Sequence, residues 1–562
     1  MEIDYKHYRY QRPWEKRKKR RRRFILGIIL IFLILFFTWD QVSLSYLKKG
    51  KRLTWEEKYD QAEKKLFTAL TLGRRKAKIY DALLINSLFQ KNKQKALNYS
   101  KKALHHNIKK SAFDFEQVFE KFIRKGEYQL AEIYSDYLEK WNKSPFVKFY
   151  QTSAYIGEHK LIQAEKNLQN YPPEVLKRFS QVVNYQKKIL NKLKKEKRFF
   201  FISDRANIPL IVKKIPTGEF IFPEPIFFSG DFESLPPSDL KNHIILTLDF
   251  DIQSAAIKAL GRYNGAIVAI RPQTGEILAA VSKSSDDEKS SFLNSCFEKF
   301  YEPGSIIKIL TAVAYLKEEI TDIFPFQCQG WQEIEGKIFY DWIIHHRVNN
   351  LSQALIVSCN VCLANIGLKL GWQKMEEVFN DFLFNHKIEL EITPVSLGIL
   401  PPSQNNLLSL ARLSVGLNEL KITPFHAALI AGVIANQGKL MKPYLIREKR
   451  NIFGIPYFKN FPKELQTIVS SRINTQIVQT MIEVVENEQG TGRRARLEGL
   501  KLALKTGTAG EKEKGYNSIL IGFAPGFNPQ IAFSIFAEHA GRAELEGAKI
   551  TKKFLEEIAD KL

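Results

Sequence analysis

Apolar and polar positions divide the chain into three stretches with different periodicities. Near the start, residues 24–39 form an apolar run that only one glycine and one threonine interrupt. From about residue 50 to residue 190, apolar residues recur with the spacing of amphipathic helices, and proline and glycine are scarce. After residue 246, short apolar runs typical of strands alternate with helical patterns. We therefore predict an anchor helix, an all-α region and a mixed α/β domain.

The apolar run directly follows eight consecutive basic residues at positions 16–23. As a helix it would be about 24 Å long, and the flanking arginines and Trp39 can extend it across a bilayer core of roughly 30 Å. The positive charge predicts that residues 1–23 are cytoplasmic, that residues 24–40 are a transmembrane anchor, and that the rest is extracytoplasmic. A cleaved signal peptide is the alternative, with Ser43-Leu44-Ser45 as a weak cleavage site.

The helical stretch contains an internal repeat. Ala62, Ala96, Ala131 and Ala164 follow one another at intervals of 34, 35 and 33 residues. A period near 34 with small residues where helices pack resembles the tetratricopeptide repeat, although its tryptophan, glycine and proline positions are mostly absent. We predict a TPR-like helical solenoid over residues 50–190, with generic helical hairpins as the alternative. Such a solenoid commonly presents a concave surface to a partner.

The rest of the chain is predicted to contain a linker and one large domain. Residues 198–245 are rich in proline and are interpreted as an irregular linker. Over residues 246–562 we predict helices at 249–260 and 548–562, with strands at 265–270, 277–281, 502–508, 518–523 and 530–538. Since strands occur at both ends of the domain, we expect them to form one sheet that the helical middle covers.

The charge of the chain is strongly positive, with 85 basic and 60 acidic residues and a formal net charge of +25. The basic run precedes the apolar run directly, so its simplest role is to orient the anchor helix rather than to bind nucleic acid. The remaining positive charge suits a protein that works beside anionic lipids and wall polymers. We expect the membrane, and no nucleic acid, among its partners.

The cysteines and histidines predict no metal site. Four cysteines are too few for a disulfide framework in this chain, and Cys296 and Cys328 either pair or remain free. Cys359 and Cys362 form a C-x-x-C pair without a second pair at zinc spacing, which favours packed thiols. Two adjacent histidine pairs lack a carboxylate or cysteine at metal-ligand spacing: His105-His106 and His345-His346. We predict neither a metal nor a cofactor.

Three short motifs suggest nucleophilic chemistry. S-x-x-K occurs at 305–308, S-x-N at 358–360 and K-T-G at 505–507. A serine hydroxyl needs a base, and a lysine three residues later on the same helix face can act as one if desolvation lowers its pKa. Each motif alone is weak, because residues 45–48 and 403–405 match the first two by chance.

The context of the three motifs is more specific than the motifs themselves. The apolar pattern at 306–320 places Ser305 in the first turn of a helix, where the positive helix end favours an oxyanion. Ser358 and Asn360 precede a helical run at 361–370, so they fit a turn that faces a cleft or an ordinary helix cap. The K-T-G motif lies on a predicted strand, where Gly507 would admit a ligand backbone or form an edge bulge.

Residues 246–562 resemble the transpeptidase domain of class B penicillin-binding proteins. The resemblance rests on the three motifs and on the stretches GAIVAIRPQTGEILAAVS, ITPFHAALIAGVIANQGKLMKP, GTGRRA and ILIGFAPGFNPQIAFSIFAE. It implies an α/β (α+β) penicillin-binding fold, with a five-stranded antiparallel sheet covered by helices. It also implies a D,D-transpeptidase, which cross-links peptidoglycan stem peptides that end in D-Ala-D-Ala and is acylated by β-lactams.

The resemblance assigns a role to each motif residue. Ser305 would attack the carbonyl of the penultimate D-Ala and form an acyl-enzyme, and Lys308 would accept the hydroxyl proton. Ser358 would relay a proton to the leaving amine, while Asn360 would orient Lys308. An amine from a neighbouring stem peptide would then resolve the acyl-enzyme.

The remaining implied roles belong to the K-T-G strand. Lys505 would supply positive potential, and Thr506, Gly507 and Thr508 would bind the substrate, the two threonines through its terminal carboxylate. The backbone N–H groups of Ser305 and Thr508 would form the oxyanion hole.

The chain departs from this family in its membrane-proximal part. The usual pedestal is reduced to residues 198–245, and helical repeats occupy the space before it. In that family a SEDS-type glycosyltransferase contacts the pedestal. Because the repeats here replace most of the pedestal, we expect the repeats to bind such an enzyme or another wall-synthesis protein. The absence of an E-D-x-x-F-x-x-H-x-G signature argues against a bifunctional class A enzyme. In GTGRRA, Arg493 and Arg494 either contact substrate or order their loop.

Two other functions fit parts of the pattern. A D,D-carboxypeptidase or β-lactamase would share the acyl-enzyme and end in hydrolysis, but no deacylating glutamate is identifiable from the sequence. A non-catalytic penicillin-binding scaffold or sensor would use the repeats for binding, but all three motifs are intact.

Overall fold

The structure of the protein is a computed structural model that describes residues 13–72, 75–196, 198–214, 220–221, 242–283, 294–391, 394–404, 406–511 and 515–562. The chain divides into two compact units, Met1–Glu196 and Lys197–Leu562. The division lies within the basic segment 191–197, where the helical pattern of the sequence ends.

The first unit is all-α over its described residues, which confirms the predicted helical region. Its helices are α1 (Pro13–Trp55), α2 (Tyr59–Thr71), α3 (Lys76–Phe89), α4 (Lys93–His105), α5 (Phe115–Arg124), α6 (Tyr128–Glu139), α7 (Phe146–Gly157), α8 (Leu161–Gln169) and α9 (Pro173–Glu196). Turn residues in the left-handed region, such as Lys91 and His159, separate consecutive helices. Helix α9 has a kink at Phe179, whose backbone is not helical.

The four regularly spaced alanines occupy equivalent positions in alternating helices. Ala62, Ala96, Ala131 and Ala164 are the fourth residues of α2, α4, α6 and α8, and all four are fully buried. A small side chain at such a position lets neighbouring helices approach closely. The period of the sequence therefore corresponds to one pair of helices.

Helix α1 contains the apolar run at 24–39. Its described side chains at the start of the run are exposed, and Phe24 is 69% exposed. The side chains of residues 31–36 lie outside the described part of the chain. Among the residues searched, no helix has a stretch both long enough and apolar enough to span a bilayer.

The second unit combines helices with several sheets. Its helices are α10 (Phe250–Leu260), α11 (Lys308–Lys317), α12 (Leu351–Ile356), α13 (Asn360–Asp381), α14 (Leu407–Leu413), α15 (Pro424–Ala435), α16 (Ser471–Glu486) and α17 (Ala548–Glu557). Its strands are β1 (Arg198–Ser203), β2 (Pro209–Lys214), β3 (Phe220–Ile221), β4 (His243–Leu246), β5 (Gly265–Ile270), β6 (Ile277–Lys283), β7 (Phe326–Cys328), β8 (Trp331–Ile334), β9 (Lys337–Tyr340), β10 (His346–Val348), β11 (Lys387–Glu389), β12 (Pro394–Ser396), β13 (Lys439–Met441), β14 (Ile446–Arg450), β15 (Pro456–Lys459), β16 (Glu464–Thr467), β17 (Ala503–Glu511), β18 (Gly515–Ala524) and β19 (Ile531–Ala537).

A five-stranded sheet forms the centre of this unit. Its order is β17-β18-β19-β5-β6, and every neighbouring pair is antiparallel. The predicted strands and the predicted sheet built from both ends of the domain are therefore confirmed. Strand β17 lies at one edge, and no further strand of the described residues pairs with its outer side.

Helices cover both faces of the central sheet, as predicted. Phe533 of β19 belongs to one apolar core with Ile252 of α10 and Phe554 of α17. The next residue, Ser534, points to the opposite face, where its hydroxyl donates to the carbonyl of Pro424 at the start of α15 (2.6 Å). Because β5 and β19 are buried along their whole length, their sequences are apolar throughout except at Ser534.

The expectation of an irregular linker at 198–245 is wrong for its first residues. Strands β1 and β2 pair with each other, and β1 also pairs with β4, in a six-stranded sheet of order β15-β14-β4-β1-β2-β3. Phe201 of β1 and Ile211 of β2 are fully buried there, so the apolar residues of these two strands form part of a core. Pro209 begins β2, a position where a missing N–H is tolerated. Residues 215–219 and 222–241 lie outside the described residues.

Candidate active site

Ser305 lies in a short 3-10 turn, Gly304–Ile307, directly before α11. The predicted first turn is thus present, but the α-helix begins only at Lys308. It ends at Lys317 rather than at residue 320, because Glu319 adopts a left-handed backbone (φ 51°). Gly304 has φ 57°, and a Cβ there would lie 2.7 Å from the carbonyl oxygen of Thr508. Glycine therefore lets the serine turn pack directly against β17.

Ser358 and Asn360 lie in the turn between α12 and α13. Ser358 has φ 56°, which reverses the chain direction between the two helices. The cap of α13 is Cys359, whose Sγ accepts a hydrogen bond from the N–H of Cys362 at 3.3 Å. The predicted turn is confirmed, and the alternative of Ser358 or Asn360 as the helix cap is wrong. Their polar side chains remain available to the lysines.

A hydrogen-bonded chain joins the three motifs. Lys308 Nζ donates to the Ser358 carbonyl oxygen and to Asn360 Oδ1, both at 2.7 Å, and lies 3.2 Å from Ser358 Oγ. From the other side, Lys505 Nζ donates to Ser358 Oγ at 3.0 Å and to the Thr506 carbonyl oxygen at 2.9 Å. The Ser358 hydroxyl therefore lies between two amines.

Burial determines the charge of these two amines. Both lysines are fully buried, and desolvation lowers the pKa of Lys308 to about 8, against the opposing charge of Asp341. Burial, reinforced by the nearby charge of Lys308, lowers the pKa of Lys505 well below its usual value. Two buried amines linked through one hydroxyl cannot both carry a proton at low cost. Each amine therefore loses its proton at a lower pH than an ordinary lysine does.

Strand β17 supplies the opposite wall. A Cβ on Gly507 would lie 2.9 Å from the Pro303 carbonyl oxygen and 3.1 Å from the Ile306 nitrogen. The close approach of the serine turn thus accounts for this glycine, a contact that the sequence did not predict. The hydroxyl of Thr506 donates to Thr491 Oγ1 at 2.7 Å, and Thr508 Oγ1 accepts from the N–H of Ala543 at 3.1 Å.

These groups surround a cavity of about 190 Å³. The predicted residues that line it are Ser305, Ser358, Asn360, Thr506, Gly507 and Thr508. Lys308 and Lys505 lie behind this lining and reach it through the Ser358 hydroxyl. The structure therefore brings together all eight residues that the three motifs predicted.

Five further residues that line the cavity were not predicted as site residues: Trp342, Thr491, Tyr516, Arg542 and Glu544. Thr491 alone had a sequence signal, since it belongs to GTGRRA. Arg493 and Arg494 of that loop are exposed and do not line the cavity, so its contribution comes through Thr491. The other four come from three separate segments of the chain, with Arg542 and Glu544 in the same one, and no motif connects them.

A cluster of possible metal ligands lies behind the S-x-N turn. Ligand atoms of Cys328, Asp341, His345 and Cys359 all lie within 4.8 Å of one another. Asp341 Oδ2 accepts from Cys359 Sγ at 3.0 Å and lies 3.4 Å from His345 Nδ1. Burial opposes ionisation of Asp341, but the His345 hydrogen bond and the Lys308 charge outweigh it and hold the pKa of Asp341 below its usual range.

The structure corrects one interpretation of the sequence here and decides one question that the sequence left open. His345 does have a carboxylate four residues before it and two thiols nearby, so the statement that it lacks possible co-ligands is wrong. All four cysteines are free, and therefore Cys296 and Cys328 do not pair. Two thiols, one imidazole and one carboxylate form a ligand set suited to Zn²⁺. Such an ion would be held directly beside Ser358 and Asn360, because Cys359 lies between them.

Comparison with family models relates this geometry to known proteins. Residues 265–560 match the model described as "Penicillin binding protein transpeptidase domain". The peptidoglycan D,D-transpeptidase MrdA of Acinetobacter baumannii is 26% identical over 366 residues, which are 55% of this chain and 53% of the relative. The stage V sporulation protein D of Bacillus subtilis is 28% identical over 330 residues, which are 54% of this chain and 50% of the relative. The chain thus spans about half the length of these relatives.

Solved structures share the fold of the second unit. A D,D-transpeptidase domain of a peptidoglycan glycosyltransferase from Eggerthella lenta has a TM-score of 0.56 and 26% identity, covering 63% of this chain and 97% of that one. The ceftriaxone acyl-enzyme of penicillin-binding protein A from M. tuberculosis has a TM-score of 0.59 and 20% identity, covering 64% and 98%. At that identity the second likeness concerns the fold alone.

Proposed function

This chain belongs to the family that carries the penicillin-binding protein transpeptidase domain, and on that basis we propose that it is a serine D,D-transpeptidase that cross-links peptidoglycan stem peptides. One observation carries the proposal. The amines of Lys308 and Lys505 and the hydroxyl of Ser358 form a continuous hydrogen-bonded chain beside the cavity that Ser305 lines. This arrangement can remove the proton from the Ser305 hydroxyl and deliver a proton to the leaving amine of the substrate.

Acylation begins with Ser305, whose hydroxyl attacks the carbonyl of the penultimate D-Ala. Lys308 accepts the proton, which its lowered pKa permits. As a neutral amine, Lys308 can still donate to the Ser358 carbonyl and to Asn360 Oδ1, leaving its lone pair for the serine proton. Asn360 therefore acts by orienting the base.

Departure of the terminal D-Ala requires a proton on its amine. Ser358 donates it, and the flanking Lys308 and Lys505 restore it through the hydrogen bonds to Ser358 Oγ. Burial and the nearby charge of Lys308 lower the pKa of Lys505 well below its usual value. A substrate carboxylate nearby favours its protonated form, so the positive potential at Lys505 develops as the substrate binds.

The K-T-G strand binds the substrate in this proposal. Hydroxyls of Thr506 and Thr508 bind the terminal carboxylate, and Gly507 permits the close contact of β17 with the serine turn. The backbone N–H groups of Ser305 and Thr508 stabilise the oxyanion. A β-lactam presents its ring carbonyl to the same groups and stops after acylation.

The decisive experiment is labelling with a fluorescent penicillin, followed by mass spectrometry of the labelled peptide. We expect labelling of the wild type at Ser305 and none of Ser305→Ala. Ser45→Ala is the matched control, because Ser45 begins the second S-x-x-K match of the chain. Labelling that persists in Ser305→Ala would remove Ser305 from the mechanism.

A second assay separates transpeptidation from hydrolysis. The protein is incubated with a stem peptide that ends in D-Ala-D-Ala and with an acceptor amine. A cross-linked dimer supports the transpeptidase, whereas free tetrapeptide alone supports a D,D-carboxypeptidase or a β-lactamase-type hydrolase. Labelling by penicillin without either product would favour a non-catalytic penicillin-binding scaffold or sensor.

The cellular setting of this reaction is also part of the proposal. Residues 24–40 anchor the chain in the cytoplasmic membrane, residues 1–23 remain in the cytoplasm, and the second unit acts outside. The basic run at 16–23 next to the apolar run supports this orientation. Membrane fractionation tests the anchor, and protease added to intact spheroplasts should cleave the second unit but spare the N-terminus.

The first unit has a separate role in this proposal. Its helices over residues 50–190 form a TPR-like solenoid that binds a SEDS-type glycosyltransferase or another wall-synthesis protein. The equivalent, fully buried positions of Ala62, Ala96, Ala131 and Ala164 support a repeat. Crosslinking in cells with and without residues 50–190 would identify the partner, and an unchanged crosslink pattern would contradict this role.

A further inference from the structure

Two oppositely charged side chains line the cavity next to β17. Arg542 Nη1 lies 3.5 Å from Glu544 Oε1, and the two side chains are 53% and 29% exposed. Both residues line the same cavity as Ser305. Among the lining residues in the described part of the chain, they alone carry charged side chains. The proposed acyl transfer uses neither of them.

The charged pair is held in register with the substrate-binding strand. The N–H of Ala543, between the two residues, donates to Thr508 Oγ1 at 3.1 Å. The N–H of Gly541 donates to the carbonyl of Tyr516 at 2.9 Å, and Tyr516 pairs with Gly510 of β17. Arg542 therefore lies between Thr508 and the Gly510 end of β17, and Glu544 follows Ala543 beside Thr508.

An extended donor peptide bound along β17 would bring the side chain that precedes its D-Ala-D-Ala end close to Arg542 and Glu544. A peptide can add as a further strand to the outer edge of β17, which has no strand neighbour in the described part of the chain. With its terminal carboxylate at Thr506 and Thr508, the residue preceding D-Ala-D-Ala lies about 7 Å further along the strand. In the antiparallel direction that shift leads towards Arg542 and Glu544.

The energetics of the pair favour its use by a ligand. An exposed ion pair contributes little to stability, so little is lost when the two groups reorganise. At 3.5 Å the contact is also longer than a good hydrogen bond, which leaves donors on Arg542 and acceptors on Glu544 available. A side chain with both charges can satisfy both groups, whereas a single ammonium can satisfy only Glu544.

We propose that Arg542 and Glu544 select a donor stem peptide whose residue before D-Ala-D-Ala ends in both an ammonium and a carboxylate group. In this arrangement the guanidinium binds the carboxylate and Glu544 binds the ammonium. meso-Diaminopimelate has such a side chain and lysine does not. The inference rests on the proposed function, and it assigns Arg542 and Glu544 to substrate specificity rather than to catalysis.

Three synthetic pentapeptides test the inference on the wild-type full chain. They end in X-D-Ala-D-Ala, where X is meso-diaminopimelate, meso-diaminopimelate with its side-chain carboxylate amidated, or lysine. The measurement is kcat/KM for D-Ala release, confirmed by intact mass of the acyl-enzyme. We expect the first peptide to exceed the other two by about tenfold or more, the usual effect of a charge-assisted contact.

Two variants then assign the effect to residues. Arg542→Gln should remove the difference between the free and the amidated diaminopimelate peptide. Glu544→Gln should slow all three peptides, because each carries the ammonium. Arg472→Gln is the matched control, since Arg472 forms an exposed ion pair with Glu319 (2.8 Å) outside the cavity, and it should keep the wild-type ratio.

Equal kcat/KM for the three peptides in the wild type would overturn the inference without any variant. A preference that survives both Arg542→Gln and Glu544→Gln would also overturn it. Acylation by benzylpenicillin, which lacks this side chain, is measured on the same preparation. If penicillin acylates Ser305 but the peptides are not distinguished, only the specificity inference fails; if penicillin does not react, the proposed function fails and the inference with it.

Discussion

At the scale of single residues, the hydroxyl of Ser358 connects the two buried amines of the site. Its Oγ lies 3.2 Å from Lys308 Nζ and 3.0 Å from Lys505 Nζ. Because a hydroxyl both donates and accepts, it can pass a proton in either direction. This position explains why burial of two lysines is tolerated, since a network that satisfies every polar group avoids the cost of unpaired charges.

The lowered pKa of Lys308 predicts how acylation depends on pH. With a folded-state pKa of about 8, roughly a tenth of the amine is neutral at pH 7, whereas an ordinary lysine would leave only about a few parts in ten thousand neutral. The groups that act on Lys308 are Asp341, Cys359, Cys362 and Lys505. The second-order rate of acylation by fluorescent penicillin should therefore rise with pH up to about 8 and then level off.

The control for this pH profile is the stability of the protein over the same range, followed by circular dichroism. Lys308→Ala should abolish acylation at every pH while the fold persists. A flat profile from pH 6 to 9 in the wild type would contradict the role of Lys308 as the base.

The four clustered ligands lead to a prediction about metal content. Protein purified without chelator should contain about one equivalent of zinc, and Cys359→Ser and His345→Ala should each lose it. Removal of the metal should lower the Tm and slow acylation, because Cys359 is the residue between Ser358 and Asn360. Elemental analysis and thermal denaturation measure these effects.

Cys296→Ser serves as the control for the metal prediction. Cys296 is buried outside the cluster and donates to the Val281 carbonyl at 3.1 Å, so this variant should retain the metal. Absence of zinc from the wild type, together with no binding when zinc is supplied, would show that the cluster is only hydrogen-bonded packing.

At the scale of elements, the site depends on the contact between β17 and the turn that carries Ser305. Two glycines permit it, Gly304 from the turn and Gly507 from the strand. A Cβ on Gly304 would lie 2.7 Å from the carbonyl oxygen of Thr508, and a Cβ on Gly507 would lie 2.9 Å from the carbonyl oxygen of Pro303, so neither position has room for a side chain. The order of elements along the chain does not indicate this contact, because about two hundred residues separate the two motifs.

Gly507→Ala tests this contact. The added methyl group would meet the Pro303 carbonyl oxygen at 2.9 Å and must push β17 away from Ser305. Displacement of a reacting group by about 1 Å can cost up to about 10²-fold in rate, so acylation by penicillin should fall at least about tenfold.

Gly336→Ala separates this effect from a general loss of stability. Gly336 has φ 73° and no atom within 4 Å of an added Cβ. This variant introduces backbone strain of about 1 kcal/mol without a steric clash near the site. Its Tm should fall while its acylation rate stays near the wild-type value. Similar acylation rates for both variants would contradict the role of the contact.

At the scale of the whole molecule, the chain consists of two units with separate cores. The first unit is all-α over its described residues, while the second contains all the described sheets and every residue of the candidate site. Strands β1 and β2 belong to the second unit, although the sequence placed them in a linker. This division predicts that the chemistry and the proposed partner binding can be separated.

Deletion of residues 50–190 tests this independence. The shortened protein should be acylated by penicillin at a rate within about twofold of the full chain, since mutations that share no partner with the site act independently. In cells the deletion should impair wall synthesis, because the proposed partner surface is lost. If the shortened protein is folded by circular dichroism and yet is not acylated, the first unit is part of the catalytic unit.

Local pattern was sufficient to predict much of this protein. Continuous apolar runs at 265–270 and 518–523 predicted β5 and β18, because a strand buried on both faces must be apolar throughout. Asp249 was placed at the start of a helix, and it caps α10 by accepting from the N–H groups of Asp251 and Ile252. The three motifs predicted eight site residues, since a nucleophile, its base and their positioning groups are recognisable as short patterns.

Tertiary structure decided the features that join distant residues. Cys328, Asp341, His345 and Cys359 become neighbours only when β7, the segment before β10 and the start of α13 pack together. Arg542 and Glu544 reach the cavity because Ala543 is bonded to Thr508 of β17. The local sequence determines the backbone preference of each helix and strand and which of its faces is buried. Contacts between distant segments depend instead on how the whole core packs.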